Sequence, residues 1–296
     1  YVNGKFCFAS EFSALLKSDL IKKEIDLEAL DYYLTFGYIP APRTIHKNVF
    51  KLMPAHTLMF KGGQIKTERY WHLDYERKIK IKEEEAEEEV LKLLLDATRI
   101  RLYSDVPLGV FLSGGIDSSL IVGLMSKTYN QRIKTFSIGF DESDYDELKY
   151  ARNIAKHFGT DHNEFIVKPK ALEVLPSLVR HYGEPFADPS CIPTYYVSKM
   201  SKQYVTVVLN GDGGDELFAG YERYQAMVFS QALDRLPMFL KNATRDLFIS
   251  AVPESIDGRK FIRKVKRFFE GAPLLPHKRY IKWIGIFDDE AKKRLY

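Results

Sequence analysis

A glycine pair between serines and an aspartate is the first feature of this sequence that could do chemistry. It lies in "VPLGVFLSGGIDSSLIVGLMSK", residues 106–127, where one apolar run ends and apolar residues resume at helical spacing. Gly114 and Gly115 allow a sharp turn that brings backbone N–H groups close to an anion. Three serines add hydroxyl donors: Ser113, Ser118 and Ser119. The stretch therefore predicts an anion site between a strand and a helix.

Asp117 indicates which anion this turn would hold. The helix that begins near Asp117 points its positive end at the turn, which favours phosphate groups. A carboxylate repels phosphates unless a cation lies between them, and Mg²⁺ is commonly held by one or two carboxylates together with substrate phosphates. The motif therefore predicts a Mg²⁺-nucleotide site, in preference to a plain glycine turn with helix-capping side chains. It is not a Walker A loop, because it lacks the Gly-Lys-Ser/Thr ending.

A second glycine-rich motif, "LNGDGGDELFAGYERY", occupies residues 209–224 and follows the apolar run "VTVVL". It places three acidic residues close together: Asp212, Asp215 and Glu216. If the strands before the two motifs are neighbours, Asp215 can share Mg²⁺ with Asp117, and Asp212 and Glu216 are the predicted catalytic residues. Alone, the motif is also typical of a glycine-rich turn or of an incomplete calcium loop, although it lacks the spaced ligands and terminal Glu of an EF-hand. Because the first motif is present, a nucleotide role is favoured over both.

A proline-interrupted loop, "HYGEPFADPSCIPTYYVSK", lies between the two motifs at residues 181–199. Glu184, Asp188 and Ser190 are candidates for binding an acceptor substrate, because a polar loop over a strand-end site is a plausible pocket wall. The same residues are equally typical of turns and of the cap of the next helix. The sequence leaves these two interpretations open.

These motifs need a scaffold of alternating strands and helices. Four apolar stretches predict strands: "LGVFLS", "KTFSIGF", "DHNEFIV" and "YVTVVLN". Between them, helices are predicted at residues 118–127 and in "DELKYARNIAKHFG", "KALEVLPSLVRHYG" and "IPTYYVSKMSK". This alternation predicts an α/β fold, a doubly wound parallel sheet with helices on both faces. Ligands of such sheets gather at the carboxyl ends of the strands, and both glycine motifs follow a strand.

The flanking sequence predicts a second domain and a helical region. Before residue 75, "FCFASEFSALLKS" predicts a strand and a helix, and "DLEALDYYLTFGYIPAPR" a capped helix stopped by Pro40 and Pro42. "HTLMFKGGQIKTERYW" predicts a hairpin around Gly62 and Gly63. A charged connector then becomes a long amphipathic helix that carries three apolar residues on one side: Val90, Leu94 and Ala97. We therefore predict domains at 1–75 and 76–296, the second ending in helices after Tyr221.

The composition narrows the classes of protein. The chain has 296 residues, 45% of them hydrophobic, and a net charge of +4 from 44 basic and 40 acidic residues. This excess is too small to predict nucleic-acid binding, and no apolar run predicts a membrane span. Cys7 and Cys191 lie far apart in sequence, which favours a reducing, cytoplasmic setting over a disulfide framework. Because the chain starts with Tyr1 in strand-like sequence, we expect it to begin inside a larger protein.

Taken together, the motifs resemble the glutamine-hydrolysing asparagine synthetase family. "FASEFSALL" and "GYIPAPRTIHKNVFKLMPAHTLMF" resemble the closing part of its glutaminase (Ntn-type) domain. "SGGIDSS" and "GDGGDELFAGY" resemble its synthetase core, which is of the ATP pyrophosphatase type. The resemblance implies that the sheet is of this adenine nucleotide alpha hydrolase-like type. It also implies that ATP and Mg²⁺ are cofactors and that the chain is truncated at its C-terminus.

The resemblance also implies roles for individual residues. Residues 113–119 would bind the β and γ phosphates, and Asp117 with Asp215 would hold Mg²⁺. The adenosine would lie between Leu112 and Ile138, and two further residues would contact the nucleotide: Asn210 and Gly211. The implied reaction joins an acceptor carboxylate to the α phosphorus of ATP, releases pyrophosphate, and lets ammonia displace AMP to give an amide.

The chain departs from the family pattern at three points. The glutaminase nucleophile is an N-terminal cysteine, whereas this chain starts at Tyr1 and Cys7 is predicted inside a strand, so no glutaminase activity is expected of the chain as written. Asp212 stands where asparagine synthetases often have Glu, which leaves the acceptor open between aspartate and another carboxylate. The family's catalytic lysine, from a later segment, is not found before Tyr296.

The implied partners are small molecules, namely ATP, a carboxylate such as aspartate, and ammonia or glutamine. Neither nucleic acid nor a membrane is predicted, and a homodimer stays open. Two alternatives of other classes remain. One is a tRNA-modifying ATP pyrophosphatase, although the basic docking surface and thiol pairs of such enzymes are not visible. The other is a non-catalytic ATP-binding segment.

Overall fold

The computed structural model describes residues 4–18, 20–140, 148–168, 170–251 and 260–296. Its contacts divide the chain into two compact units. Unit 1 comprises Tyr1–Met53, Tyr182–Ala187 and Asp215–Tyr296, and unit 2 comprises Pro54–His181 and Asp188–Gly214. The two units alternate along the chain, and the domain boundary near Tyr75 stays a prediction.

Unit 1 begins with two helices: α1 (Phe12–Leu16) and α2 (Leu27–Phe36). The Asp26 carboxylate caps α2 by accepting hydrogen bonds from two N–H groups of its first turn. The helix ends at Gly37, whose φ of 79° is a left-handed conformation that glycine adopts without strain. It therefore ends before the two prolines that were predicted to stop it. The strand predicted around Cys7 is wrong, because residues 6–9 belong to no strand.

Unit 2 opens with the predicted hairpin, formed by β1 (His56–Lys61) and β2 (Gln64–Arg69). Gly62 and Gly63 have φ values of 58° and 78°, as a two-residue turn between twisted antiparallel strands requires. After an irregular connector, α3 (Glu83–Arg101) forms the predicted long helix. Three glutamates lie in its first turn and two arginines in its last, which complements the helix dipole.

A parallel four-stranded sheet lies at the centre of unit 2, and it confirms the predicted α/β class. Its strands are β3 (Leu108–Phe111), β4 (Lys134–Phe140), β5 (Asp161–Val167) and β6 (Val207–Leu209), in the order β5-β4-β3-β6. All three neighbouring pairs are parallel. The last strand is shorter than the predicted stretch, because Tyr204 lies in a turn and Thr206 in a bend before the strand begins at Val207.

Helices in unit 2 connect these strands: α4 (Ile116–Thr128), α5 (Leu148–Phe158), α6 (Ala171–Tyr182) and α7 (Cys191–Ser201). The first begins two residues earlier than predicted. The residues 146–147 that begin the predicted second helix lie outside the described residues. Alternate side chains of β3 enter different hydrophobic clusters. Val110 packs with residues of α4 and α5, whereas Phe111 packs with Phe136 and Val197 of α7. Both faces of the sheet are therefore covered, as its apolar strands require.

The rest of the described chain is helical, as predicted. Six helices follow: α8 (Gly214–Phe218), α9 (Glu222–Asp234), α10 (Met238–Ala251), α11 (Lys260–Glu270), α12 (Pro276–Ile284) and α13 (Asp289–Leu295). Arg279 of α12 is fully buried and bonds to the carboxylate of Asp234 on α9 and to the hydroxyl of Ser230. Since a buried charge is tolerated only when it is paired and hydrogen-bonded, Arg279 joins these helices in one arrangement. None of the described helices combines the length and the apolar composition needed to cross a membrane.

Candidate nucleotide site at the strand ends

The two glycine-rich motifs follow neighbouring parallel strands of unit 2. Leu108 of β3 pairs with Val207 of β6, and Val110 pairs with Leu209. Parallel neighbours end at the same edge of a sheet, so the turn after β3 and the turn after β6 emerge side by side. The two strands that precede the motifs are therefore adjacent, which was the condition for predicting that the motifs form one site.

The first turn requires glycine at one position of the pair. Gly114 has a φ of 82°, and a Cβ placed on it would lie 2.6 Å from both the Ala151 nitrogen and the Tyr150 Cβ of α5. Gly115 has an ordinary φ of −70° and is the N-cap residue of α4. A Cβ there would meet only the Ser113 hydroxyl, at 3.3 Å. The close passage of the turn against α5 therefore depends on Gly114.

Two of the three serines shape the turn itself. The buried Ser118 hydroxyl accepts a hydrogen bond from the Ser113 backbone N–H at 3.2 Å and donates to the Gly115 carbonyl at 3.2 Å. The hydroxyls of Ser113 and Ser118 also lie 3.0 Å apart. Ser119 differs, because its Oγ is buried and has no hydrogen-bond partner within the described part of the chain. Of the three hydroxyls, that of Ser119 is the one left for a further partner.

The N-terminus of α4 is not capped by a side chain. Its N-cap residue, Gly115, has no side chain with which to cap the helix, and the Ser113 hydroxyl accepts a hydrogen bond from the Gly115 N–H at 3.2 Å instead of from the first turn. The first-turn N–H groups of a helix have no partner inside the helix, and an anion is a suitable acceptor for them. The phosphate site at this helix N-terminus stays a prediction.

Asp117 contacts the second motif. A Cβ on Gly214 would lie 2.6 Å from the Asp117 Cγ, and a Cβ on Gly211 would lie 2.7 Å from the Asp117 Cβ and 2.9 Å from the Ser118 nitrogen. A larger residue at Gly211 would press on the backbone of Asp117 and Ser118, whereas one at Gly214 would displace the Asp117 carboxylate. The two motifs therefore meet at the Asp117 side chain, so the residues of both turns surround one carboxylate.

The asparagine and first aspartate of the second motif are bonded to each other. The Asn210 side-chain amide donates to the Asp212 carboxylate at 2.7 Å, and the Asp212 N–H donates to the Asn210 side-chain oxygen at 3.3 Å. Both residues are exposed. The roles predicted for Asn210 in nucleotide contact and for Asp212 in catalysis stay predictions.

The remaining acidic residues of the motif, Asp215 and Glu216, belong to unit 1. Glu216 accepts a hydrogen bond from the Tyr221 hydroxyl, and this bond lowers the pKa of its carboxyl below the ordinary value, with a smaller effect of the Arg223 charge. Asp215 accepts at its backbone carbonyl from the Gly220 N–H at 3.0 Å. The shared metal site of Asp117 and Asp215 would join residues of different units, and it stays a prediction.

The residues predicted to flank adenosine lie on two adjacent strands. Leu112 follows β3, and the residue as a whole is 1% exposed within the hydrophobic core. Its N–H donates to the Phe136 carbonyl at 2.8 Å. Ile138 of β4 is half-buried and packs against a second core cluster around Phe136. The Leu112 carbonyl accepts a hydrogen bond from the Ser137 hydroxyl, so both backbone polar groups of this buried residue are bonded within the protein, and its role beside adenosine stays a prediction.

The acceptor candidates fall into two groups. Asp188 and Ser190 form a turn that leads into α7, because the Ser190 N–H donates to the Asp188 carboxylate at 2.8 Å and the Cys191 N–H donates to the Asp188 carbonyl at 3.2 Å. Glu184 belongs to unit 1, where its carboxylate forms an ion pair with Lys51. Lys51 was not among the predicted site residues. The only signal was a charge within the apolar stretch "VFKLM".

The surroundings of the Asp117 carboxylate are compatible with a magnesium ion that is shared with phosphates. The Asp117 carboxylate makes no hydrogen bond or ion pair with any described residue, and the glycines beside it leave space that side chains would fill. Across the described residues, no group of three or more His, Cys, Asp or Glu side chains is arranged to hold a metal ion. A divalent ion at Asp117 would therefore take most of its ligands from phosphate groups and water, as Mg²⁺ commonly does.

The fold and the meeting of the two turns define the class of this protein as a parallel α/β protein with paired glycine-rich turns at the carboxyl ends of its strands. Comparison with known families gives the particular family. The model of the asparagine synthase family matches residues 89–280, and the model of a glutamine amidotransferase domain matches residues 1–71. The first match covers more than half of the chain. The chain therefore belongs to the asparagine synthase family.

Individual relatives agree with this family. The chain is 34% identical to asparagine synthetase [glutamine-hydrolyzing] 1 of Bacillus subtilis, over 99% of this chain and 45% of the relative. It is 38% identical to a putative asparagine synthetase [glutamine-hydrolyzing] 2 of Methanocaldococcus jannaschii, over 99% of this chain and 57% of the relative. Amidase chyE of Penicillium rubens is 32% identical over 64% of this chain and 31% of its own length. The chain spans about half the length of the first two relatives.

Proposed function

We propose that this protein forms an amide from a carboxylate, ATP and ammonia, with aspartate as the acceptor and asparagine, AMP and pyrophosphate as the products. The observation that carries the proposal is the contact of Asp117 with Gly211 and Gly214, which joins the two motifs at one edge of the parallel sheet. Membership of the asparagine synthase family supports the choice of reaction.

The binding of ATP would use the turn after β3. The uncapped N-terminus of α4 and the backbone N–H groups of the turn would receive the β and γ phosphates, and the Ser119 hydroxyl would add a donor. Gly114 would keep the turn in the conformation that this requires. Leu112, Ile138, Asn210 and Gly211 would contact the rest of the nucleotide.

Asp117 and Asp215 are the residues that would hold Mg²⁺. When bound, the ion would neutralise phosphate oxygens and stabilise the pyrophosphate that leaves. Glu216, whose pKa is lowered by the Tyr221 hydroxyl, would stay ionised at neutral pH and so could orient a cationic or hydrogen-bonding group. Asp212 is the second proposed catalytic carboxylate.

The chemistry would proceed in two steps. An oxygen of the acceptor carboxylate forms a bond to the α phosphorus while the bond from that phosphorus to pyrophosphate breaks. Ammonia then attacks the acyl carbon, AMP leaves, and the nitrogen loses a proton to give the amide. The chain's contribution would be to hold the two anions in line and to exclude competing water.

The cellular setting that we propose is the cytoplasm. Both cysteines, Cys7 and Cys191, are free thiols, and the second is buried. Free thiols are typical of proteins in a reducing compartment, which supports this proposal.

Release of pyrophosphate tests the proposed function. We expect release from the purified protein only when Mg²⁺-ATP, an ammonium salt and aspartate are all present, with asparagine and AMP formed in equal amounts. Asp117→Asn should reduce this release at least about 100-fold, which is the scale of a lost electrostatic contact to the reacting phosphates. Asp96→Asn, which changes an exposed acid on α3, is the matched control and should leave the rate unchanged.

The outcomes separate the alternatives. If Asp117→Asn turns over like the unsubstituted protein, the nucleotide site is misassigned. If release requires a carboxylate other than aspartate in a screen of carboxylic acids, the reaction type stands and the acceptor changes. We include this screen because one of the relatives, Amidase chyE, is not named as an asparagine synthetase.

A further inference from the structure

An ion pair in unit 1 joins two parts of the chain that different family models match. Lys51 lies in the part matched by the glutamine amidotransferase domain, and Glu184 lies in the part matched by asparagine synthase. The Lys51 ammonium contacts the Glu184 carboxylate and donates a 2.8 Å hydrogen bond to the Ile39 carbonyl. The Glu184 side chain is only 14% exposed, so its carboxylate is largely removed from water.

The segment around Glu184 is attached at two further points. The Ala187 N–H donates to the Gly37 carbonyl at 2.8 Å, which ties the end of the segment to the C-cap of α2. Near its start, a Cβ on Gly183 would lie 3.1 Å from the Phe12 ring, so the backbone passes close to α1. Residues 183–187, the anchored segment, are therefore held along their length by the amidotransferase-matched part of the chain.

Lys51 supplies the only charge compensation that the Glu184 carboxylate has among the described residues. The second carboxylate oxygen of Glu184, Oε2, is buried and has no hydrogen-bond partner among the described residues. Removing one partner of a shielded ion pair leaves the other charge buried and uncompensated, which is far more disruptive than breaking an exposed pair. Without Lys51, the anchored segment would have to move so that Glu184 could reach water.

We propose that Lys51 is a positioning residue for the acceptor, because it holds Glu184 and thereby the start of the loop that carries Asp188 and Ser190. Asp188 follows the tied residue Ala187 directly along the chain, so displacement of the anchored segment passes to the acceptor loop through the backbone. The proposal assigns Glu184 to anchoring the loop instead of contacting the acceptor. It rests on the proposed function and on the predicted role of Asp188 and Ser190 in binding the acceptor carboxylate.

Steady-state kinetics of Lys51→Met give the first test. We expect the KM for aspartate to rise about 10-fold or more, since misplacement of about 1 Å costs up to about 100-fold. The KM for ATP should stay unchanged, because the turn proposed to bind the phosphates lies in unit 2, whereas Lys51 and Glu184 lie in unit 1. Lys51→Arg keeps the charge and should restore most of the aspartate affinity. Lys47→Met is the matched control, because Lys47 forms an ion pair with Glu24 in the same part of the chain.

Hydrogen exchange gives a second test that does not depend on activity. Amides of residues 184–190 should exchange at least about 10-fold faster in Lys51→Met than in the unsubstituted protein, and at the unchanged rate in Lys47→Met. Unchanged exchange in Lys51→Met would overturn the proposal whether or not the protein is active. So would equal increases in the KM for aspartate and for ATP, which would indicate a general loss of structure. An unsubstituted protein that releases no pyrophosphate would instead overturn the proposed function, while the exchange result would still report on the anchor.

Discussion

Replacing Gly114 by alanine should destabilise the protein, and the structure allows the size of the effect to be worked out. A Cβ at a φ of 82° carries the steric cost of left-handed backbone, roughly 1–2 kcal/mol. The same Cβ would lie 2.6 Å from the Tyr150 Cβ and from the Ala151 nitrogen. Forcing a methyl group into a packed site costs typically about 1–3 kcal/mol more. The free energy of unfolding should therefore fall by about 2–5 kcal/mol.

Gly213→Ala is the matched control for this prediction. Gly213 also has a left-handed φ, of 93°, but a Cβ there would have no described atom within 4 Å. Its substitution carries the backbone cost alone, roughly 1–2 kcal/mol. The difference between the two variants thus isolates the contact of the turn with α5.

Unfolding in urea, followed by circular dichroism, measures both variants against the unsubstituted protein. Thermal unfolding should show the same order, with a shift of roughly 2 °C for each kcal/mol in a protein of this size. If Gly114→Ala and Gly213→Ala differ by less than about 0.5 kcal/mol, the turn does not pack closely against α5, which would refute the prediction.

Two further predictions concern the second motif and the helical region. Gly214→Ala should lower pyrophosphate release at least about 10-fold, because the new methyl group would displace the Asp117 carboxylate. A rate equal to that of Gly213→Ala would contradict this. Asp234 has a pKa below its ordinary value of 3.8, first because Arg279 donates a hydrogen bond to it. Its stabilising effect is therefore fully present above pH 3.8 and is lost as the pH falls through the lower pKa of the folded state. Asp234→Asn should remove this part of the acid sensitivity in urea unfolding between pH 6 and pH 2, and an unchanged pH profile would refute the assignment.

Local patterns predicted much of the fold. The alternation of apolar stretches with helical periods gave the four parallel strands and their connecting helices, because side-chain periodicity reports which face of an element is buried. The hairpin followed from Gly62 and Gly63, whose freedom at positive φ suits a two-residue turn. The errors were local too. The stretch around Cys7 has strand composition, but composition does not supply the hydrogen-bonding partner that a strand requires.

The candidate site was predictable in part. The motifs identified the residues near the strand ends, and the sheet order β5-β4-β3-β6 brought the two turns together. The motifs did not indicate that Ser113 and Ser118 bond to each other, whereas the Ser119 hydroxyl has no hydrogen-bond partner among the residues that the structure describes. Hydroxyl donors look alike in a sequence, and only the surrounding atoms show which of them is already satisfied.

The sequence by itself determined the class of fold, the two glycine-rich motifs and the family that they resemble. These features are carried by residues close together in the chain, where turn chemistry and periodicity act. The tertiary structure alone decided the fit of Gly211 and Gly214 against Asp117 and the pairing of Lys51 with Glu184. Such contacts join residues far apart in sequence. Their partners are set by how whole elements pack, because burial makes an unpaired charge or an extra methyl group costly only in that packed setting.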